Sequence, residues 1–213
     1  MGFLGMWVLA PLPDEAVPDV AAVLRPPVEE QRSRERTQEL WRHWCAAPDR
    51  VAGLRRVGHG RGRTMTLDAD SEAFQELSGA CPLAGYDQEI YAALDRLPAR
   101  WQRLALAAGC SKGYPAAALA HGLGPGRFAA LPGWFGDMLL TAQQVRTALP
   151  AVERALTLPP GERRAAEART VEWLCESGDG HPREAAAMLD GVLPLWRAAA
   201  AEGAGLLGAM FVP

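Results

Sequence analysis

The sequence predicts an α+β fold: one predominantly helical domain, residues 1–213, with a small sheet that includes the N- and C-terminal strands. Three observations carry this. A short apolar run stands near each end, "LGMWVLA" at 4–10 and "AGLLGAMFV" at 204–212. Between them lie several amphipathic stretches bounded by helix-cap and helix-stop residues. The chain has 213 residues, 49% hydrophobic and 22% charged, which is globular composition at one-domain size.

In order along the chain, "LGMWVLA" has strand length and is stopped by Pro11 and Pro13, as a buried strand would be. Residues 14–24 can form a short helix interrupted by Pro18. Residues 28–47 are strongly helical, with a charged first half and an apolar stripe of Leu40, Trp41, Trp44 and Cys45, ended by Pro48. Residues 48–64 read as loop, because Gly53, Gly58, Gly60 and Gly62 remove any reason to stay helical. "TMTLDADSEAFQEL" (64–77) suggests a short strand, then a helix begun by Asp68 or Asp70. Asp87 caps a helix with Ile90, Leu94 and Leu97 inward, and Pro98 separates it from "ARWQRLALAAG".

Residues 109–136 are rich in Ala, Gly and Pro, with turns and one short helix at "PAAALAHGL". Thr141 and Gln144 form a capping box for a helix that places Val145, Leu149, Val152 and Leu156 on one face. A further helix over 159–178 turns Ala168, Val171, Leu174 and Cys175 inward. The pattern over 181–203 is helical again, divided near Gly191 and Pro194 because an interior proline costs about 3 kcal/mol. The terminal run at 204–212 then returns to pair with the first strand.

Charge and composition exclude some functions. A net charge of −3 and a pI near 5.8 argue against nucleic-acid binding through the overall field. Residues 25–63 are locally basic, with ten arginines against five acids. Yet Lys112 is the only lysine among 22 basic residues, which is how a GC-rich bacterial coding sequence biases its codons. "RRVGHGRGR" (55–63) is neither a Walker loop nor G-x-G-x-x-G, and no aromatic lies between Trp44 and Phe74 to stack on bases. It reads as a flexible Gly/Arg-rich loop near 50–63. The N-terminus lacks a basic n-region, and no apolar run reaches the roughly 20 residues that span a bilayer. Four cysteines without a C-x-x-C pair fit a cytoplasmic protein with reduced thiols.

"LLTAQQV" (139–145), after the aromatic turn "GWFGD", resembles a family pattern of an aromatic turn followed by L-T-x-x-x-V opening a helix. "VLPLWRAAAAEGAGLLGAMF" is similar to that family's closing helix and terminal strand, and "MGFLGMWVLA" to its N-terminal Met-Gly strand. The family is the bacterial YfbM-like group, a domain family of unknown function. The resemblance implies an α+β fold and supplies no catalytic residue.

The candidate sites are few. Cys110 and His121 share one Gly-rich region and are the pair that could meet as nucleophile and base, with Asp87 and Glu89 as further acid/base groups. His43 and Cys45 stand two apart on a helix and face different sides. No metal-ligand spacing and no cofactor motif occurs. Trp7, Trp101, Trp173 and Trp196 fall on buried faces. Trp134 and Phe135 sit between Gly133 and Gly136, with Asp137 adjacent, and admit two readings. As an exposed turn they would recognise a protein partner or a small-molecule ligand. Folded back, they would plug the core under the Thr141 helix.

The expectation that follows is a non-catalytic cytosolic binding or interaction protein, of accessory or immunity type, with no cofactor. The alternative is a small, cofactor-independent tailoring enzyme of bacterial specialised metabolism with an aromatic-lined pocket.

Overall fold

The computed structural model describes residues 4–52, 55–57, 64–111, 113–177 and 182–211. Six strands occur in it: β1 (Leu4–Leu12), β2 (Arg55–Val57), β3 (Thr64–Thr66), β4 (Leu106–Ser111), β5 (Met138–Leu140) and β6 (Gly205–Phe211). Four of them form one antiparallel sheet in the order β4-β1-β6-β5. The two terminal strands are therefore neighbours at its centre, with Trp7 opposite Met210 and Leu9 opposite Gly208. Every residue of β6 is buried, as is β1 from Trp7 to Leu12, so both run apolar without alternation. Pro11, which cannot donate to a ladder, lies beyond Leu9, where the pairing with β4 ends.

The helices are α1 (Val17–Ser33), α2 (Glu35–Ala46), α3 (Ala69–Gly79), α4 (Asp87–Asp95), α5 (Ala99–Gln102), α6 (Pro115–Leu123), α7 (Pro125–Phe128), α8 (Ala142–Leu156), α9 (Pro160–Ser177) and α10 (Pro182–Glu202). All nine residues of α6 are buried, as a helix apolar on every side requires. It is crossed closely by α9 at Gly122, where a Cβ would lie 2.0 Å from Thr170 Oγ1 and 2.9 Å from the Ala166 carbonyl oxygen. Gly122→Ala is expected to cost about 1–3 kcal/mol by overpacking this crossing. Thermal unfolding measures it, and a variant as stable as the parent would show that the two helices part freely.

The capping box is present as expected. Thr141 Oγ1 accepts from the Gln144 backbone N–H at 3.2 Å, and Gln144 Oε1 accepts from that of Thr141 at 2.9 Å. Behind it Val145, Val152 and Leu156 are buried, with Leu149 packed against the core. Asp14 adds a bond that ties the chain's start to this helix, its Oδ1 accepting from Ala142 N–H at 2.6 Å.

Several expectations are corrected. Pro18 does not interrupt a helix: it stands in the first turn of α1, where a missing N–H costs nothing. The single helix over 28–47 is two, broken at Arg34, which is extended with ψ 135°. The buried stripe of α2 is Thr37, Leu40 and Trp44, and Cys45 is exposed. Among Cys45, Cys81 and Cys110, Cys45 should therefore react first with a thiol reagent. Cys110 is buried, and the Cys81 thiol is pushed up to about 12, chiefly by burial. First modification at Cys110 would contradict this placement.

Residues 48–64 are not wholly loop. Pro48–Arg50 make a 3-10 turn, and β2 pairs with β3 in a hairpin. Residues 53–54 and 58–63 of the expected flexible loop lie outside the described residues. Tyr86 rather than Asp87 precedes α4, with Asp87 its first residue. "LALAAG" is strand β4, held by pairing with β1. On α9 the inward face is Ala166, Thr170 and Leu174 while Ala168 is exposed, because small residues let α9 approach Gly122. The side chain of Cys175 lies outside the described residues. Finally, α10 runs unbroken through Gly191 and Pro194. Its buried face continues across them as Met188, Val192, Leu195 and Ala199, so packing outweighs the lost hydrogen bond.

Candidate functional site

The stretch Gly133–Asp137 forms a tight two-residue hairpin. Trp134 N–H donates to the Asp137 carbonyl at 2.8 Å, and Asp137 N–H to that of Trp134 at 2.9 Å. Its central residues both have positive φ, Phe135 at 41° and Gly136 at 93°. Gly136 is required there twice over, since a Cβ would come within 2.6 Å of Trp7 Nε1 and 2.7 Å of the Ala116 Cβ. Phe135 holds a conformation that bulky residues rarely adopt. Its ring compensates by packing at 5.0–6.4 Å from Phe128, Trp134, Trp44, Phe74 and Trp41.

Trp134 and Phe135 are thus buried, at 6% and 4% exposure. Of the two readings of this turn, the core one describes its geometry. Trp134 still lines a cavity of about 180 Å³ with Arg32, Gln38 and Trp41, but its indole N–H is buried and has no partner. Asp137 is buried as well, its Oδ1 accepting from Met210 N–H at 2.5 Å and so binding the turn to β6. Burial holds its carboxyl well above the usual carboxylate range, which the Met210 bond opposes only in part.

An acid whose folded-state value is raised contributes stability that is complete below its unfolded value, about 3.9. That contribution is lost as pH rises through the folded value, at up to ~1.4 kcal/mol per pH unit. Asp137→Asn keeps the acceptor and removes the charge. The variant is expected to be at least as stable as the parent at pH 7 and to lack this slope. Urea denaturation over a pH series checks it, and parallel profiles would refute the assignment.

A groove of about 410 Å³ lies where α6, α7 and α9 meet. Its floor is His121, and its rim carries Asp49, Arg127, Glu162 and Arg169. The local sequence explains the shape: α6 stops at Gly124 (φ 74°), and the chain restarts at once as α7. The carbonyls left at the end of α6 are covered by Arg169, whose Nη2 donates to Gly122 at 2.5 Å and Nε to His121 at 3.4 Å. Arg127 does the same for α8, donating to the Arg154 and Ala155 carbonyls at 2.9 and 3.3 Å, and pairs with Glu162 at 2.5 Å.

His121 is only 5% exposed, its ring 5.3 Å from Trp173 and 5.9 Å from Phe74. Burial, and after it the charge of Arg169, lowers its pKa to about 4, so the imidazole is neutral at physiological pH. No hydrogen bond from a described residue reaches either ring nitrogen, and neither is among the sealed buried atoms, so both are open to the groove.

The other sequence candidates lie elsewhere. Cys110 is buried on β4 opposite Gly5, outside the groove lining. Asp87 and Glu89 stand in the first turn of α4, also outside it. Sequence reasoning found His121 and missed Arg127 and Arg169; Arg169 stands mid-helix in α9, and only the fold brings it to the end of α6. Among the described residues, no cluster of three His, Cys, Asp or Glu could hold a metal, and no helix is long and apolar enough to cross a membrane. Compared with protein-family models, curated proteins and solved structures, the chain matches none.

Proposed function

We propose that this chain is a non-catalytic binding protein, of accessory or immunity type, and that the groove floored by His121 is its recognition site. One observation carries this: an imidazole only 5% exposed, with no hydrogen-bond partner among the described residues, lines a ligand-sized groove of about 410 Å³. Its nitrogens are not among the sealed unpartnered atoms, so they remain open to the groove, where a ligand that pairs with them gains a hydrogen bond worth about 0.5–1.5 kcal/mol net. The volume lies within the range of small-molecule sites.

The same imidazole is poorly suited to catalysis. A general base works best with a pKa near the operating pH, and His121 is held at about 4. Saturation-transfer NMR against a library of small fragments tests the reading. Hits are expected to bind the parent and to lose binding in His121→Phe, which keeps the ring packing and removes both nitrogens. Fragments that bind both proteins equally, or none at all, would overturn it.

A further inference from the structure

We propose that the occupant of this groove is a small monoanionic carboxylate with an apolar body, its headgroup held between Arg169 Nη1 and the His121 ring. The inference rests on reading the groove as the recognition site. It starts from Arg169, which pairs with no carboxylate of the described residues. Two backbone carbonyls fix its fork through Nε and Nη2, which leaves Nη1 as an oriented donor whose ordering cost is already met. Beside it a neutral imidazole offers one N–H and one acceptor nitrogen. A planar carboxylate has two oxygens for two such donors.

The charges at the rim decide between anions. Arg127 is already paired with Glu162 at 2.5 Å, and Asp49 lines the groove together with Arg169. The four formal charges therefore cancel, so the groove carries no surplus for a dianion, which would face two acids. The remaining wall is apolar, with Leu123, Pro125, Leu158 and Ala165. That suits a hydrocarbon or aromatic tail and not a polyhydroxylated one.

Binding should also take up a proton. The charged groups around His121 are Arg169 and Glu162 from α9, Arg127 from α7 and Asp49 from the 3-10 turn, while Phe74, Trp44 and Trp173 are uncharged. A bound carboxylate next to the ring favours its protonated form, so affinity rises as pH falls.

The test follows the His121 ring resonances by NMR while the full chain is titrated with benzoate and hexanoate. Benzamide and hexanamide are titrated in parallel, and phenyl phosphate, compared at pH 7.5, serves as the dianion. The acids are expected to shift the ring saturably and more tightly at pH 5.5 than at pH 7.5, with affinity about tenfold weaker in Arg169→Gln. The amides should bind at least tenfold more weakly than the acids. Because Arg169 also caps α6, the variant can lose stability, and the acid-against-amide comparison on the parent then decides alone. Amides binding as well as acids, or phenyl phosphate binding best, would overturn the carboxylate while leaving the groove. If no acid and no amide moves the His121 resonances, the groove itself is not the site.

Discussion

Replacing Trp134 by alanine is expected to lower the stability of the fold by about 3–5 kcal/mol, as removing a buried aromatic does. The side chain is 6% exposed and lies against Phe135 at 5.2 Å and Trp41 at 5.9 Å. Two features act in opposite directions on the size of the loss. The indole N–H is buried without a partner, so its removal relieves a small penalty. Against this, Trp134 is one of the rings around Phe135, whose unfavourable φ of 41° is tolerated because that cluster holds it. Losing the cluster releases the turn, and with it the Trp7–Gly136 hydrogen bond of 3.2 Å. Fragment binding at the His121 groove should survive in the folded fraction, since Trp134 does not line it. Chemical denaturation of variant and parent gives the answer: a loss under about 1 kcal/mol would mean a side chain with little burial to lose.

How much of this molecule was legible in its sequence depends on where each element's stability comes from. The sheet centre was legible because β1 and β6 are buried on both faces, which leaves an unbroken apolar run in each. The helix at Ala142–Leu156 announced itself through a local hydrogen-bond pair, Thr141 with Gln144, which needs no tertiary partner. β4 was not legible. Its Ala-rich sequence favours a helix, and its strand state comes from pairing with β1, a contact a hundred residues distant in sequence. The proline in α10 misled for the matching reason, because local cost was set against a buried face that only the folded chain reveals.

The site divides in the same way. His121 stood out as a lone polar side chain in an apolar helix, but its neighbours on the page of the sequence were the wrong ones. Cys110 is near in sequence and lies on the sheet, whereas Arg169 is 48 residues away and touches its backbone. The codon bias toward arginine hid that residue among many that do little. Trp134 and Phe135 were noticed for being aromatic between glycines. The hairpin that turns them inward needs Phe135 at positive φ, which no propensity argument would place there.

Acidification provides the second large effect. His121 is held at about 4 in the fold, against about 6.5 when unfolded. A base whose folded-state value is depressed contributes stability that is present above its unfolded value and lost as pH falls through its folded one. From about pH 6.5 to pH 4 this amounts to about 3 kcal/mol, because the unfolded chain takes up a proton that the fold refuses. Asp137 works against it over the same window, since its raised value makes the fold more stable as pH falls. The experiment is therefore cleanest with Asp137→Asn as the starting protein, where one of the two slopes is gone. Urea denaturation from pH 7.5 to pH 4 should show its stability falling by about 3 kcal/mol, and adding His121→Phe should remove most of that fall. Phenylalanine keeps the packing on Phe74 and Trp173, so a general loss of stability at every pH reports packing, while only a change of slope reports the proton. Slopes that stay equal with and without His121 would mean that the imidazole titrates as in the unfolded chain, against the burial that depresses it in the fold.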